Sequence, residues 1–191
     1  FGATTPSYDL EKAIDQEYPV EGVTEESVRE VLPRFLGEQE QIAPLFSAKS
    51  VDGVRAYELA RKQYREAHKE KTDVMTDFDH TVAETLNKQI FNISGMVLIS
   101  FFPNGKESEP ELSDEGLRPN PRINVVDTSA LHLPLAMIRI KCSKGTYIRA
   151  LARDLGEALG SGAHLNSLER TKSGGFTVGN CLSVNEVISV L

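Results

Sequence analysis

A chain of 191 residues, 40% of them hydrophobic, with a formal net charge of −7 can bury one sizeable core and is too acidic to present a broad basic surface to nucleic acid. Two cysteines, Cys142 and Cys181, and four scattered histidines argue against a disulfide framework and a dedicated metal site, and a reduced, cytoplasmic setting is expected. No apolar run approaches the roughly 18 residues of a membrane span, and the opening residues carry no basic head or cleavable apolar stretch, so neither membrane insertion nor secretion is expected.

The chain opens with Phe1-Gly2-Ala3-Thr4-Thr5, which reads like the middle of a domain and has no initiating Met. Thr24 stands ahead of Glu25 and Glu26, and Val28, Val31, Leu32, Phe35 and Leu36 follow at near-helical spacing, which predicts a capped helix that Pro33 kinks or ends. Gly37 predicts the start of a loop. Pro44 to Ala48 reads as a short extended stretch, Asp52-Gly53 as a turn, and the residues from there to about Lys69 as a helix with exposed polar faces. Alternation followed by Met96-Val97-Leu98-Ile99 predicts one or two strands over 88–102. Residues 103–121, with several Pro, Gly and acids, predict a mobile loop, and Arg122 to Val126 a strand.

The most telling stretch comes next. Ala136, Ile138, Ile140 and Cys142 alternate with Met137, Arg139 and Lys141, the period-two pattern of a strand with one apolar face. Gly145 permits a sharp turn, and Thr146 is a candidate N-cap. Ile148, Leu151, Ala152, Leu155, Ala158 and Leu159 then recur at helical spacing as a core face, while Arg149 and Arg153 share another face. Gly160 to Gly162 predict the helix end. Ala163 to Arg170 reads as extended, Ser173-Gly174-Gly175 as a turn, and Ser183 as the cap of a short last helix. Helices and strands alternate irregularly, which favours an α/β chain of the α+β type: a mixed, largely antiparallel sheet with packed helices.

Spacing alone leaves two readings of the 141–149 region. In one, helix N–H groups, Lys144 and Arg149 converge on a phosphate-sized anion, with Tyr147 beside it to stack on a base. In the other, Tyr147 is core, Arg149 pairs with a surface acid, and Gly145-Thr146 merely turns a strand into a helix. Charge is uneven along the chain: acids crowd 21–40 and 107–115, and cations collect in the carboxy-terminal third. Lys144, Arg153, Arg170 and Lys172 are therefore candidate phosphate contacts, each with an ordinary surface cation as its alternative.

Four blocks together carry a family resemblance: Gly2-Ala3-Thr4-Thr5-Pro6-Ser7-Tyr8-Asp9; Pro44-Leu45-Phe46-Ser47-Ala48 with Asp52-Gly53 and Arg55 to Arg61; Cys142 to Arg149 continuing through Asp154-Leu155-Gly156; and Gly162-Ala163-His164-Leu165 followed by Leu168 to Gly174. On these the chain resembles the TruB family of tRNA pseudouridine synthases. Ser7 replaces the usual second Thr, Phe46 stands where Tyr is usual, Ser50 where a basic residue is common, and the stretch from about Val74 to Leu133 is longer than the family pattern.

The resemblance implies a pseudouridine synthase fold, with residues 1–191 as the carboxy-terminal part of its catalytic domain and no carboxy-terminal RNA-binding accessory domain. It implies isomerisation of a T-loop uridine (position 55) to pseudouridine. The T-arm of tRNA would be the partner, with no cofactor, metal, membrane or protein partner, and a monomer is expected. Tyr147 would lie against the flipped base with its hydroxyl near the reacting sugar, Arg149 would pair with the catalytic aspartate, Leu168 would wall the pocket, and Lys144 and Gly145 would line the substrate side. The family's Gly-x-x-Gly-Thr-Leu-Asp-type motif would lie before Phe1, so the chain by itself is expected to be inactive. Two alternatives stand beside this: a non-catalytic RNA-binding module of the same fold, and an acidic protein-interaction domain that kept only the fold.

Overall fold

The computed structural model describes residues 1–44, 50–51, 54–55, 58, 88–105, 126–183 and 186–188. The stretch 45–48, the Asp52-Gly53 turn, most of the helix expected before Lys69, residues 106–121 of the expected loop and most of the strand at 122–126 lie outside the described residues.

Two short strands, β1 (Ala3–Thr4) and β2 (Gln16–Glu17), pair antiparallel near the start. Helix α1 (Glu25–Val31) follows, and Thr24 caps it by a reciprocal exchange: its hydroxyl accepts from Ser27 N, and the Ser27 hydroxyl accepts from Thr24 N. Pro33 does end the α-helix, as a 3-10 turn over Leu32–Phe35. Gly37 begins a strand and not a loop: β3 (Gly37–Gln41) pairs along its whole length with β6. Strands β4 (Ser50–Val51) and β5 (Val54–Arg55) pair with each other.

The centre of the molecule is β6 (Gln89–Phe102), a single strand of 14 residues, flanked by β3 and by β7 (Leu135–Cys142) in the order β3-β6-β7, all antiparallel. Ile93 and Leu98 are buried, and Ala136, Ile138 and Ile140 of β7 pack beside them. The predicted apolar face of β7 stops at Ile140, because Cys142 is exposed. Helix α2 (Ile148–Leu159) lays Leu151 and Leu155 onto the same core, against Val28, Val31 and Leu32. Ala150 is fully buried in place of Ala158, which is exposed. Gly160, in the left-handed conformation, closes the helix. A hairpin of β8 (Lys172–Ser173) and β9 (Phe176–Thr177) turns at Gly174-Gly175, and Ser183 and Glu186 cap the segment beyond it reciprocally.

The amino-terminal segment is tied to the end of α2 by backbone bonds. Gly2 N donates to Ser161 O and Tyr18 N to Gly2 O, while Leu165 N donates to Tyr8 O at 2.8 Å. This depends on Gly156, where a Cβ would lie 2.3 Å from Ala163 N and from the Gly162 carbonyl carbon. Those atoms are backbone and cannot swing aside. Gly156→Ala is expected to destabilise the fold by about 1–3 kcal/mol, read as a lower urea midpoint with an unchanged m-value; an unaltered midpoint would show that the 160–163 turn yields freely.

Candidate active site

The strand-to-helix junction spans five residues and is held by bonds from Ser143, Thr146 and Tyr147. Ser143 binds β6 twice, its N–H donating to Asn92 O at 2.8 Å and its hydroxyl accepting from Asn92 N at 2.9 Å. The Ser94 hydroxyl donates to Lys141 O. Gly145 then takes φ +92, a conformation that side chains resist. Thr146 is not the N-cap: its hydroxyl donates back to Ser143 O and closes the turn, and Tyr147 occupies the cap position with no side-chain cap bond.

Tyr147 is held instead by Gln41, the last residue of β3. The Tyr147 N–H donates to Gln41 Oε1 at 2.9 Å, and Gln41 Nε2 donates to Tyr147 O at 3.0 Å. That carbonyl also accepts the first bond of α2, from Leu151 N.

In the first turn of α2, Arg149 reaches the amino-terminal loop. Its guanidinium donates to Asp9 Oδ2 at 3.0 Å and to Ser7 O, with both charged side chains about a quarter exposed. The other oxygen of Asp9 is also engaged, accepting from the Ser7 hydroxyl at 2.6 Å and from Glu11 N. The Thr5 and Ser7 hydroxyls both donate to Asp9 O, and Thr5 and Ser7 are almost fully buried. Between Ser7 and Asp9, Tyr8 sits at φ 61, an uncommon backbone for a tyrosine. Arg153, one turn further, lies over the Tyr8 ring at 5.0 Å and binds Asp154 and the Tyr8 hydroxyl.

Burial weighs on this cluster. It works against the charge of Arg153, but the Tyr8 hydroxyl and Asp154 more than offset it and leave the guanidinium pKa raised. Burial raises the pKa of Asp154 above the usual carboxylate range, against the pull of Arg153 and of the Gln41 amide. His164 Nδ1 lies 3.0 Å from Ala3 O, which can only accept, so that nitrogen carries the hydrogen.

The structure therefore brings Tyr147, Arg149 and Arg153 together along the mouth of α2, with Gly145 at its entrance. Lys144 is exposed at the turn, as are Leu168, Arg170 and Lys172 beyond the helix, Leu168 at 59%. Arg153 is held by its own neighbours. Asp9 was legible only as part of a motif, and Gln41 not at all. Among the described residues no His, Cys, Asp and Glu group could hold a metal ion, and no helix is long and apolar enough to cross a membrane.

Two family models match the sequence: the N-terminal domain of TruB family pseudouridylate synthase over residues 1–93, and the C-terminal domain of tRNA pseudouridylate synthase B over residues 149–191. The chain belongs to the TruB family. Similar curated proteins agree with this assignment. The tRNA pseudouridine synthase B of Phocaeicola vulgatus is 43% identical over 96% of this chain and 57% of its own length. That of Parabacteroides distasonis is 41% identical over 97% and 59%, and that of Deinococcus radiodurans 32% identical over 97% and 55%. The chain thus spans between half and three-fifths of the length of these relatives. The α/β architecture, with its antiparallel sheet and packed helices, is that of a TruB pseudouridine synthase.

The same geometry gives a pH dependence. Burial lowers the pKa of His164, although its bond to Ala3 O and the charges of Asp9 and Asp15 pull the other way. The unfolded chain therefore binds a proton before the folded one as pH falls through the ordinary histidine range near about 6.5. Stability from this group is complete above that range and is lost as pH falls toward the depressed folded value. The urea midpoint is expected to drop between about pH 7.5 and 5.5, and less so in His164→Gln; equal drops in both proteins would remove His164 from the account.

Proposed function

We propose that the protein is a tRNA pseudouridine synthase that isomerises a uridine of the T-loop, at position 55, with the T-arm of tRNA as its binding partner. The junction at Cys142–Arg149 carries this reading: it sets a tyrosine at the mouth of a helix and a guanidinium in its first turn, already set against a carboxylate. Relatives bearing the name tRNA pseudouridine synthase B align over 95% or more of the chain and support it.

Isomerisation breaks the bond from ribose C1′ to base N1 and joins C1′ to base C5; the hydrogen on C5 leaves as a proton and N1 takes up a proton in exchange. Nothing is oxidised, so no cofactor is required. The base must first leave its stack, at a cost of about a few kcal/mol, and the half-buried Tyr147 offers it a ring to lie against, with a hydroxyl positioned to take a proton. Arg149, oriented by Asp9, orients and ionises the nucleophilic aspartate of the Gly-Thr-Leu-Asp motif in this reading. That motif does not occur within residues 1–191, and these residues by themselves, read as the carboxy-terminal part of the catalytic domain, are inactive in this proposal. Leu168 supplies an apolar wall, and Lys144, Gly145, Arg153, Arg170 and Lys172 lie along the RNA path. The protein acts as a monomer in the cytoplasm and needs no protein partner.

In the intact protein, Arg149→Ala is expected to slow single-turnover isomerisation of a tRNA transcript by roughly 10²–10³-fold while leaving the Kd for tRNA nearly unchanged. Equal losses in rate and affinity would overturn the assignment. Tyr147→Phe is expected to bind as the parent does, and Tyr147→Ala to lose about 1–3 kcal/mol of binding. Full turnover by the Phe form would rule out proton transfer by the hydroxyl, and pseudouridine formed by residues 1–191 alone would overturn the need for an outside aspartate.

A further inference from the structure

Gln41 is a polar side chain buried to 3% at the end of a strand that is otherwise half-exposed, and Tyr147, the residue it binds, is 106 positions away. Its amide orientation is fixed by its partners, since a backbone N–H can only donate to the oxygen and a backbone carbonyl can only accept from the nitrogen. One side chain thereby ties the edge strand β3 to the cap position of α2.

Fold stability alone does not call for this arrangement. A helix start is usually capped by a Ser, Thr, Asp or Asn at the cap position itself, yet Tyr147 stands there without a side-chain cap, and the one nearby hydroxyl, that of Thr146, is spent on Ser143 O. The backbone of Tyr147 is bonded on both sides from outside the helix. Its φ of −90 and ψ of 103 are thus clamped, and with them the direction of its Cα–Cβ bond.

We propose that Gln41 is a positioning residue for the reaction: by holding both the N–H and the C=O of Tyr147, it aims the aromatic ring at the base. This rests on the synthase reading given above. A misplacement of about 1 Å in a reacting group costs on the order of 10²-fold in rate, so losing the clamp should appear in the chemical step and not in RNA affinity.

The test uses the intact protein and a T-arm transcript. Gln41→Met keeps the length of the side chain and deletes both bonds; single-turnover isomerisation is expected to fall on the order of 10–10²-fold, with the Kd for tRNA unchanged and the rate measured well below the variant's melting temperature. Gln41→Glu supplies the rescue. As a carboxylate it sets an acceptor oxygen against the Tyr147 carbonyl, but once protonated it again offers one donor and one acceptor to Tyr147. Its rate relative to the parent should therefore rise as pH falls from about 8 to about 6.

A rate for Gln41→Met within about threefold of the parent, well below the tenfold floor expected from misplacement, would overturn the proposal. So would a Gln41→Glu variant whose rate relative to the parent ignores pH, which also decides the matter if the Met variant fails to fold. An inactive parent protein would overturn the synthase reading itself, whereas an active parent with an indifferent Gln41 would overturn only the clamp.

Discussion

Turning a strand into a helix within five residues interrupts the backbone ladder, and any polar group there that is shielded from water must find a partner or cost about 1–3 kcal/mol. That requirement governs the junction between β7 and α2. The molecule meets it partly within the turn, where the Thr146 hydroxyl serves Ser143 O, and partly with groups brought from elsewhere, Asn92 of β6 for Ser143 and the Gln41 amide for Tyr147. The last two cross between elements, so the junction is only as rigid as the β3-β6-β7 sheet beneath it. Residues 37–41 can thus govern the placement of a side chain at position 147 without touching its ring.

A second constraint acts on charge. Arg149 and Asp9 are each about a quarter exposed, shielded enough that neither partner can be lost cheaply, but wet enough that the pair itself adds little net stability. The surroundings are specific where the energy is modest. Ser7 and the Glu11 amide fix one oxygen of Asp9 and leave the other for Arg149, and the backbone at Tyr8 adopts a left-handed turn that lets its carbonyl accept from Leu165. In the proposed synthase such groups would be oriented before the RNA arrives. A site that stabilises developing charge gains most from dipoles that need no rearrangement at the moment of reaction.

The sequence was legible where apolar residues keep a period. Helix α1, the long strand over 89–102, β7 and α2 all follow from such patterns, and Gly160 and Gly174 mark their turns as expected. Strand β3 was not legible, because Gly-Glu-Gln-Glu-Gln has no apolar residue to alternate and a glycine at its head that reads as a loop. Its pairing comes from β6, a tertiary cause that no local pattern encodes. Gln41 was hidden for the same reason. Thr146 misled because a hydroxyl beside a helix start has two possible partners, the helix N–H groups ahead and the turn carbonyl behind, and spacing cannot say which one wins. Arg149 was legible as a cation on the correct face, but its carboxylate lies 140 residues away in a loop with no periodicity.

The division of labour among the basic residues follows from burial. Arg153 shares its face of α2 with Arg149, yet its guanidinium is surrounded by Asp154, Glu157 and the Tyr8 ring, and a phosphate would have to compete with all three. Lys144, Arg170 and Lys172 stand exposed at either end of the helix-and-hairpin segment. On a chain of net charge −7, these exposed cations are the groups a polyanion would meet favourably, whereas the acids of 21–40 would repel it. In the proposed synthase, attraction and repulsion together would select the approach, and the junction at Tyr147 would decide what happens once the base has arrived.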